Sequence, residues 1–195
     1  TLAGLARLRP EWAKYLAEAK KVGEEDIGPE DRLGRKRIDP NPDPRKLAKA
    51  PFREDTSTAN ASSIALLAEY EGKRLLLASD AFPSVLETGM RAFGRAVGEE
   101  RPRIDAMKIS HHGGKGNTSV GLLRAIDCRR FLISTDSSIF QHPDDEAISR
   151  VIMTCEKPTL YFNHETEVTK RWGRSRLRRE LGYEVVFPED GEEGL

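Results

Sequence analysis

Long apolar runs are missing from this chain. No stretch approaches the roughly 20 residues that a bilayer-crossing helix needs, and no signal-peptide pattern is visible. The chain therefore reads as one without a membrane partner of its own. Cysteine is scarce. Cys128 and Cys155 form neither a CxxC pair nor a disulfide framework, and they read as ordinary thiols of a reducing, cytoplasmic compartment. Net charge is absent too: 32 basic side chains cancel 32 acidic ones, so the overall field gives no argument for nucleic acid and any basic surface must be a local patch. Histidine occurs only at positions 111, 112, 142 and 164, which limits the imidazole ligands on offer. At 195 residues the chain suits one domain with a real core and is too short for two of ordinary size. It opens at Thr1 without a methionine and reads as a fragment or a processed product.

The remaining pattern divides the chain. In residues 1–21, Leu2, Leu5, Leu8, Trp12, Leu16 and Ala19 recur at helical steps, with Pro10 ending or kinking a first short helix. This segment is expected to pack on a core, with docking on another chain as the minor alternative. Residues 22–58 are rich in glycine, proline and charge. Prolines at 40, 42 and 44 favour an extended path, and a short turn near 44–50 is the only element expected there. Such a connection is disordered, draped over the fold or functional.

Order returns at Asn60. Residues 63–79 read as a hairpin around Glu71-Gly72. Helices are expected at 83–97, 120–126 and 143–153, the last with Pro143 in its first turn, and at 169–181, a basic one. Strands are expected at 104–109, 131–134, 159–162 and 183–187. The acidic residues 189–195 are a loose tail. From residue 59 to 188 this alternation means a layered α/β domain, a sheet with helices packed on it.

Two stretches organise the chemistry. Residues 75–80 (LLLASD) and 104–119 (IDAMKISHHGGKGNTS) each run from strand-forming residues straight into metal-ligand types: Asp80 in one, His111 and His112 in the other. Strand, polar residue, glycine loop and helix start is how an open α/β sheet builds a site at the carboxyl ends of its strands. Carboxylate and imidazole together suit zinc, or manganese where oxygen ligands prevail. A catalytic zinc usually takes three protein ligands, so further ligands are expected from elsewhere. Lys115, Asn117, Thr118 and Ser119 follow the histidines at a helix start and read as a phosphate site or as ordinary caps. His142 is a general acid, a phosphate contact or a cap. His164 and Glu165 read as a loop pair. Arg171, Trp172, Arg174 and Arg178 crowd the basic helix, either as a track for a nucleic-acid backbone with Trp172 for stacking, or as a solvated face.

The segments N-x-S-S at residues 60–63, LLLASDA, DAMKISHHGGKGNTS, FLISTD and QHPDDE resemble the C-terminal half of a metallo-β-lactamase-fold hydrolase. They are most similar to the nuclease domains of ComEC-type competence proteins. The resemblance implies half of an αββα sandwich, a mixed sheet with helices packed on it, and a dinuclear site for two zinc or manganese ions. It implies Asp80 as bridging ligand, His112 as the last metal ligand and His111 as a neighbour bonding a phosphoryl oxygen; the reverse histidine assignment stays open. The family's H-x-H-x-D-H signature is absent. An N-terminal half on another polypeptide is therefore the expected partner, sharing the metals, and a larger complex is left open. The activity so implied is metal-dependent phosphodiester hydrolysis, with DNA as substrate; His111, and His142 from its position alone, are the candidate catalytic residues. The alternatives are hydrolysis of a small phosphodiester or ester, and a binding module that kept the fold without metals.

Overall fold

A computed structural model of the chain describes residues 38–138 and 141–189. The expected N-terminal amphipathic helix and the end of the acidic tail lie outside them. The hairpin forms as the sequence dictates. Strand β1 (Leu66–Tyr70) pairs antiparallel with β2 (Lys73–Leu77), Tyr70 opposite Lys73. Glu71 and Gly72 both take positive φ (48° and 71°), the geometry that a two-residue hairpin turn needs. Ahead of it lie two short helices, α1 (Pro44–Leu47) and α2 (Thr58–Ala61). The Asp43 carboxylate caps α1 by accepting from the Arg45 amide at 3.0 Å.

After the hairpin, α3 (Pro83–Val97) ends at Gly98, whose φ of 74° closes the helix in the left-handed conformation. Short strands and helices then alternate: β3 (Arg103–Ile104), β4 (Ala106–Lys108), α4 (Val120–Arg124), β5 (Asp127–Cys128), β6 (Arg130–Ile133), α5 (Asp145–Thr154), β7 (Thr159–Phe162), α6 (Ser175–Leu181) and β8 (Glu184–Val186). The six-stranded sheet has the order β1-β2-β4-β6-β7-β8, parallel except for β1. Strands that follow one another in sequence across a sheet, joined by right-handed crossovers, place their helices on one face. That face carries the core. Leu76, Ala78, Met107, Ile109, Phe131, Ile133, Leu160 and Phe162 are at most 2% exposed and join Leu86, Met90, Leu122, Leu123, Ile148 and Val151 from α3, α4 and α5. The protein is thus a mixed α/β domain with helices packed on a mixed sheet.

Three elements depart from expectation. The strand expected over 104–109 breaks at Asp105, whose amide donates to the Arg74 carbonyl (2.8 Å) and whose carboxylate accepts from the Arg74 amide (3.0 Å). Arg103 and Ile104 pair instead with β5. The helix expected from Pro143 begins at Asp145, because the Asp144 amide donates to the Gly113 carbonyl (2.9 Å) and holds residues 143–144 extended against the histidine loop. The basic helix expected over 169–181 splits at Arg174, which is extended (φ −62°, ψ 124°) between a 3₁₀ turn, Lys170–Gly173, and α6. The break lets Trp172 drop into the core, fully buried, with its carbonyl accepting from the Tyr183 hydroxyl at 2.8 Å.

From residue 38 on, the proline-rich connection is draped; its residues 22–37 lie outside the described ones. Arg171 donates to the Asp39 carbonyl (2.9 Å), the Arg150 guanidinium lies over the Phe52 ring (5.1 Å), and the Glu54 carboxylate accepts from the amide and hydroxyl of Ser84 (2.8 and 2.9 Å). Both cysteines are free, and burial pushes each thiol up to about 12. Among the described residues no helix is long and apolar enough to cross a membrane.

Candidate functional site

Parallel pairing of β2 with β4 sets Leu77 opposite Lys108, so the segments that leave these strands run side by side. Three hydrogen bonds stitch them: Ala78 amide to Lys108 carbonyl (3.3 Å), His111 amide to Ser79 carbonyl (2.9 Å), and Ser110 hydroxyl to Ala81 carbonyl (2.9 Å). Asp80 lies between the last two. His112 reaches the end of β6, and His142 arrives from the loop after it. The three imidazoles gather: ring centroids are 5.4 Å apart for His111 and His142, 6.3 Å for His111 and His112, and 6.5 Å for His112 and His142. The structure therefore brings Asp80, His111, His112 and His142 to one edge of the sheet, at the carboxyl ends of β2, β4 and β6.

The backbone here is strained. Ser79, His111 and His112 have φ of 51°, 46° and 54°. Left-handed conformations cost a non-glycine residue roughly 1–2 kcal/mol each, and such residues cluster where geometry serves function. Gly113 has no alternative: its φ is 86°, and a Cβ would sit 2.7 Å from the Pro143 side chain.

The hydrogen bonds sort the two neighbouring histidines. His112 Nδ1 lies 2.5 Å from the Ser134 carbonyl oxygen. A carbonyl can only accept, so Nδ1 carries the proton and Nε2 keeps its lone pair, the form in which a histidine ligates a metal. His111 is the reverse. Its Nδ1 is 2.8 Å from the Asn60 amide nitrogen, which also donates to the Asp55 carboxylate at 2.5 Å. A carboxylate only accepts, so the amide nitrogen must face it, and its second N–H points at His111. The lone pair of His111 is thus on Nδ1 and the proton on Nε2. Burial works to raise the Asp55 carboxyl, but hydrogen bonds from Asn60, Asn117 and the Ser57 amide, with His111 nearby, hold it below the usual range.

Asp55 and Lys108 escaped sequence reasoning. Burial pulls the Lys108 ammonium down while the Asp80 carboxylate opposes it. A lysine inside the apolar strand AMKI was the available signal. Asp55 gave none beyond its turn-forming neighbours, because it comes from the draped connection.

Most of the expected phosphate-binding set is occupied by the fold. Asn117 is buried and donates to Asp55 (3.0 Å), Thr118 is buried, and the Ser119 hydroxyl caps α4 by accepting from the Leu122 amide (3.1 Å). The five-residue α4 adds little dipole. Lys115 remains exposed, its own amide donating to the Asp144 carboxylate at 2.9 Å. The loop rests on Arg150, only 2% exposed, which donates to the carbonyls of Lys115 (2.6 Å) and Thr118 (3.1 Å).

The expected nucleic-acid stripe comes apart as well. Trp172 has no free face for a base and Arg171 is ion-paired with Asp145. Arg174 is bonded to Asn41, and Arg178 to Glu184. These four side chains do not form a continuous basic track, because the chain breaks at Arg174 and turns two of them inward. His164 lies in the loop after β7, its carbonyl accepting from the Thr169 hydroxyl at 2.9 Å.

Carboxylate and neutral imidazole are suitable donors for zinc or manganese. Among the described residues, however, no three His, Cys, Asp or Glu side chains come together as a metal-holding group. Asp80 and His112 fit a metal only as part of a larger ligand set. Comparison of the chain with protein-family models, curated proteins and solved structures gives no match in any of the three.

Proposed function

We propose that this chain is the C-terminal half of a metal-dependent phosphodiesterase of the metallo-β-lactamase fold, acting on DNA, and that an N-terminal half on another polypeptide supplies the second sheet and the remaining ligands. The observation that carries the reading is a mostly parallel sheet that the described helices cover on one face, whose carboxyl edge gathers Asp80, His111, His112 and His142. Parallel sheets are ordinarily covered on both faces, and an αββα sandwich is completed by laying a second sheet on the open one.

In this reading Asp80 and His112 Nε2 donate lone pairs to the shared site. Two divalent ions, zinc or manganese, would activate a water and neutralise developing phosphoryl charge when bound. His111 donates its Nε2 proton as a hydrogen bond to a non-bridging phosphoryl oxygen. His142 delivers a proton to the leaving oxygen as general acid. The Lys115 ammonium adds positive charge at the rim.

A second reading, hydrolysis of a small phosphodiester, is favoured by the inward turn of Arg171 and Trp172, which withdraws both from any surface a nucleic-acid backbone could follow. Metal content and plasmid cleavage of the assembled protein test the proposal. Asp80→Ala should lower both; unchanged metal and unchanged cleavage would sink it. Reversing Arg174 and Arg178 to glutamate separates the substrates: DNA cleavage and its salt dependence should both fall if DNA is bound there, whereas a small diester would be turned over as before.

A further inference from the structure

The Asp55–Asn60–His111 chain joins two distant segments of the sequence. Asp55 belongs to the draped connection and is pinned there: its amide donates to the Gly116 carbonyl (3.0 Å) and its carboxylate accepts from the Ser57 amide (2.8 Å), Asn60 and Asn117 (3.0 Å). Asn60 sits in α2. His111 lies past β4 with its backbone in the left-handed region. A Cβ on Gly116 would meet the Asp55 backbone at 3.1 Å, so the two loops are in tight contact. The carboxylate is 3.6 Å from His111 Nδ1, too long for a direct hydrogen bond. Asn60 bridges the gap, giving one N–H to each.

We propose that Asp55 and Asn60 are positioning residues for His111: the shared amide fixes the imidazole proton on Nε2, so that this ring meets its ligand as a hydrogen-bond donor, suited to an anionic oxygen such as that of a phosphodiester. The inference rests on the functional reading above for the identity of that oxygen, but not for the tautomer. An asparagine can adopt either orientation. Its orientation here is dictated by a carboxylate that cannot donate, and Asp55 thereby sets the polarity of a ring it does not touch. Two adjacent histidines acquire opposite roles in this way: His112, whose Nδ1 donates to a carbonyl, offers a lone pair, and His111 offers a proton.

The test reads the ring nitrogens of the chain labelled with ¹⁵N-histidine, at a pH of about 8 where imidazole is ordinarily neutral. The wild-type His111 signals should be those of the Nε2–H tautomer. Asn60→Leu, which removes the donor, should give mixed tautomers. The exchanged pair D55N/N60D keeps charge and shape but presents a carboxylate to Nδ1, and it should invert the ring to Nδ1–H. Far-ultraviolet dichroism identifies any variant that has failed to fold; the wild-type spectrum still decides if both do. A wild-type ring protonated on Nδ1, or a tautomer unmoved by both folded variants, would overturn the proposal. In the assembled protein, Asn60→Leu should lower kcat about a hundredfold with little change in KM. If the wild type cleaves no phosphodiester at all, the functional reading fails while the nitrogen spectra still judge the tautomer.

Discussion

On the helix-covered face of the sheet, Phe131 and Ile133 in β6 are at most 1% exposed, as are Met107 in β4 and Leu160 and Phe162 in β7. On the opposite face, built from alternate residues of the same strands, Leu75, Leu77, Ala106, Leu132 and Tyr161 are half-buried. Leu66 and Tyr70, which the β1–β2 register places on that second face, keep 56% and 75% of their exposure. The second face is the more polar in sequence, with Lys73, Thr159 and Glu184 also on it, and the two differ in how far the described residues cover them. A face that opens to water with leucine at its centre can gain on the order of 1–2 kcal/mol for each large side chain later covered. Lys108 and Arg130 interrupt this face, Lys108 lying beside the Asp80 segment. The covered face makes the chain fold. The other, which the described residues cover only in part, gives it a surface on which a second layer would be stabilised.

Neighbouring residues of β6 offer the sharpest way to break this contrast. Phe131→Ala should cost about 3–5 kcal/mol, while Leu132→Ala, one residue on and facing the other way, should cost under about 1.5 kcal/mol in the chain by itself. Urea unfolding measures both, and equal losses would mean that the faces do not differ. Next in size is Arg150→Met. Removing a buried guanidinium that holds two loop carbonyls and stacks on Phe52 should cost roughly 2–3 kcal/mol and free the Lys115 loop, seen as faster amide exchange around residues 114–118. Leu77→Asp on the open face should leave the chain's own stability within about 1 kcal/mol of wild type. It should nonetheless abolish assembly with the N-terminal half proposed above, in a sedimentation experiment.

The smallest effect expected concerns acid. The Asp55 carboxyl is held below its ordinary value of 3.8, so its contribution is in place above about pH 4 and is lost as pH falls through the lowered folded value. Asp55→Asn should therefore lower stability near neutrality, where the carboxylate contributes, and flatten the acid limb, so that the two profiles converge in acid. An unchanged acid limb would mean that the carboxylate does not tie the connection to the histidine loop.

Much of the fold was legible because its signals are local. The Glu71-Gly72 turn, the helix closed by Gly98, the Ser119 cap and the strand at 159–162 each depend on residues within a few positions of one another. The basic helix was misread for the opposite reason. Charge and spacing at 169–181 looked continuous, and only the core's need for Trp172, together with the carboxylate of Asp145, shows why the chain breaks at Arg174. Likewise Asn117 and Ser119 look like ligand-facing residues until the groups they bond to are in place.

The sequence by itself determined the order of helices and strands and the placing of Asp80, His111 and His112 just past strand ends, since periodicity and punctuation are carried by the chain locally. Tertiary structure alone decided which ring nitrogen of His111 and of His112 bears the proton. It also decided that Asp55, from 56 residues upstream, governs one of them, and that the described residues leave one face of the sheet only half-buried. Those outcomes depend on which donor meets which acceptor across the sheet edge. No spacing along the chain encodes such a meeting.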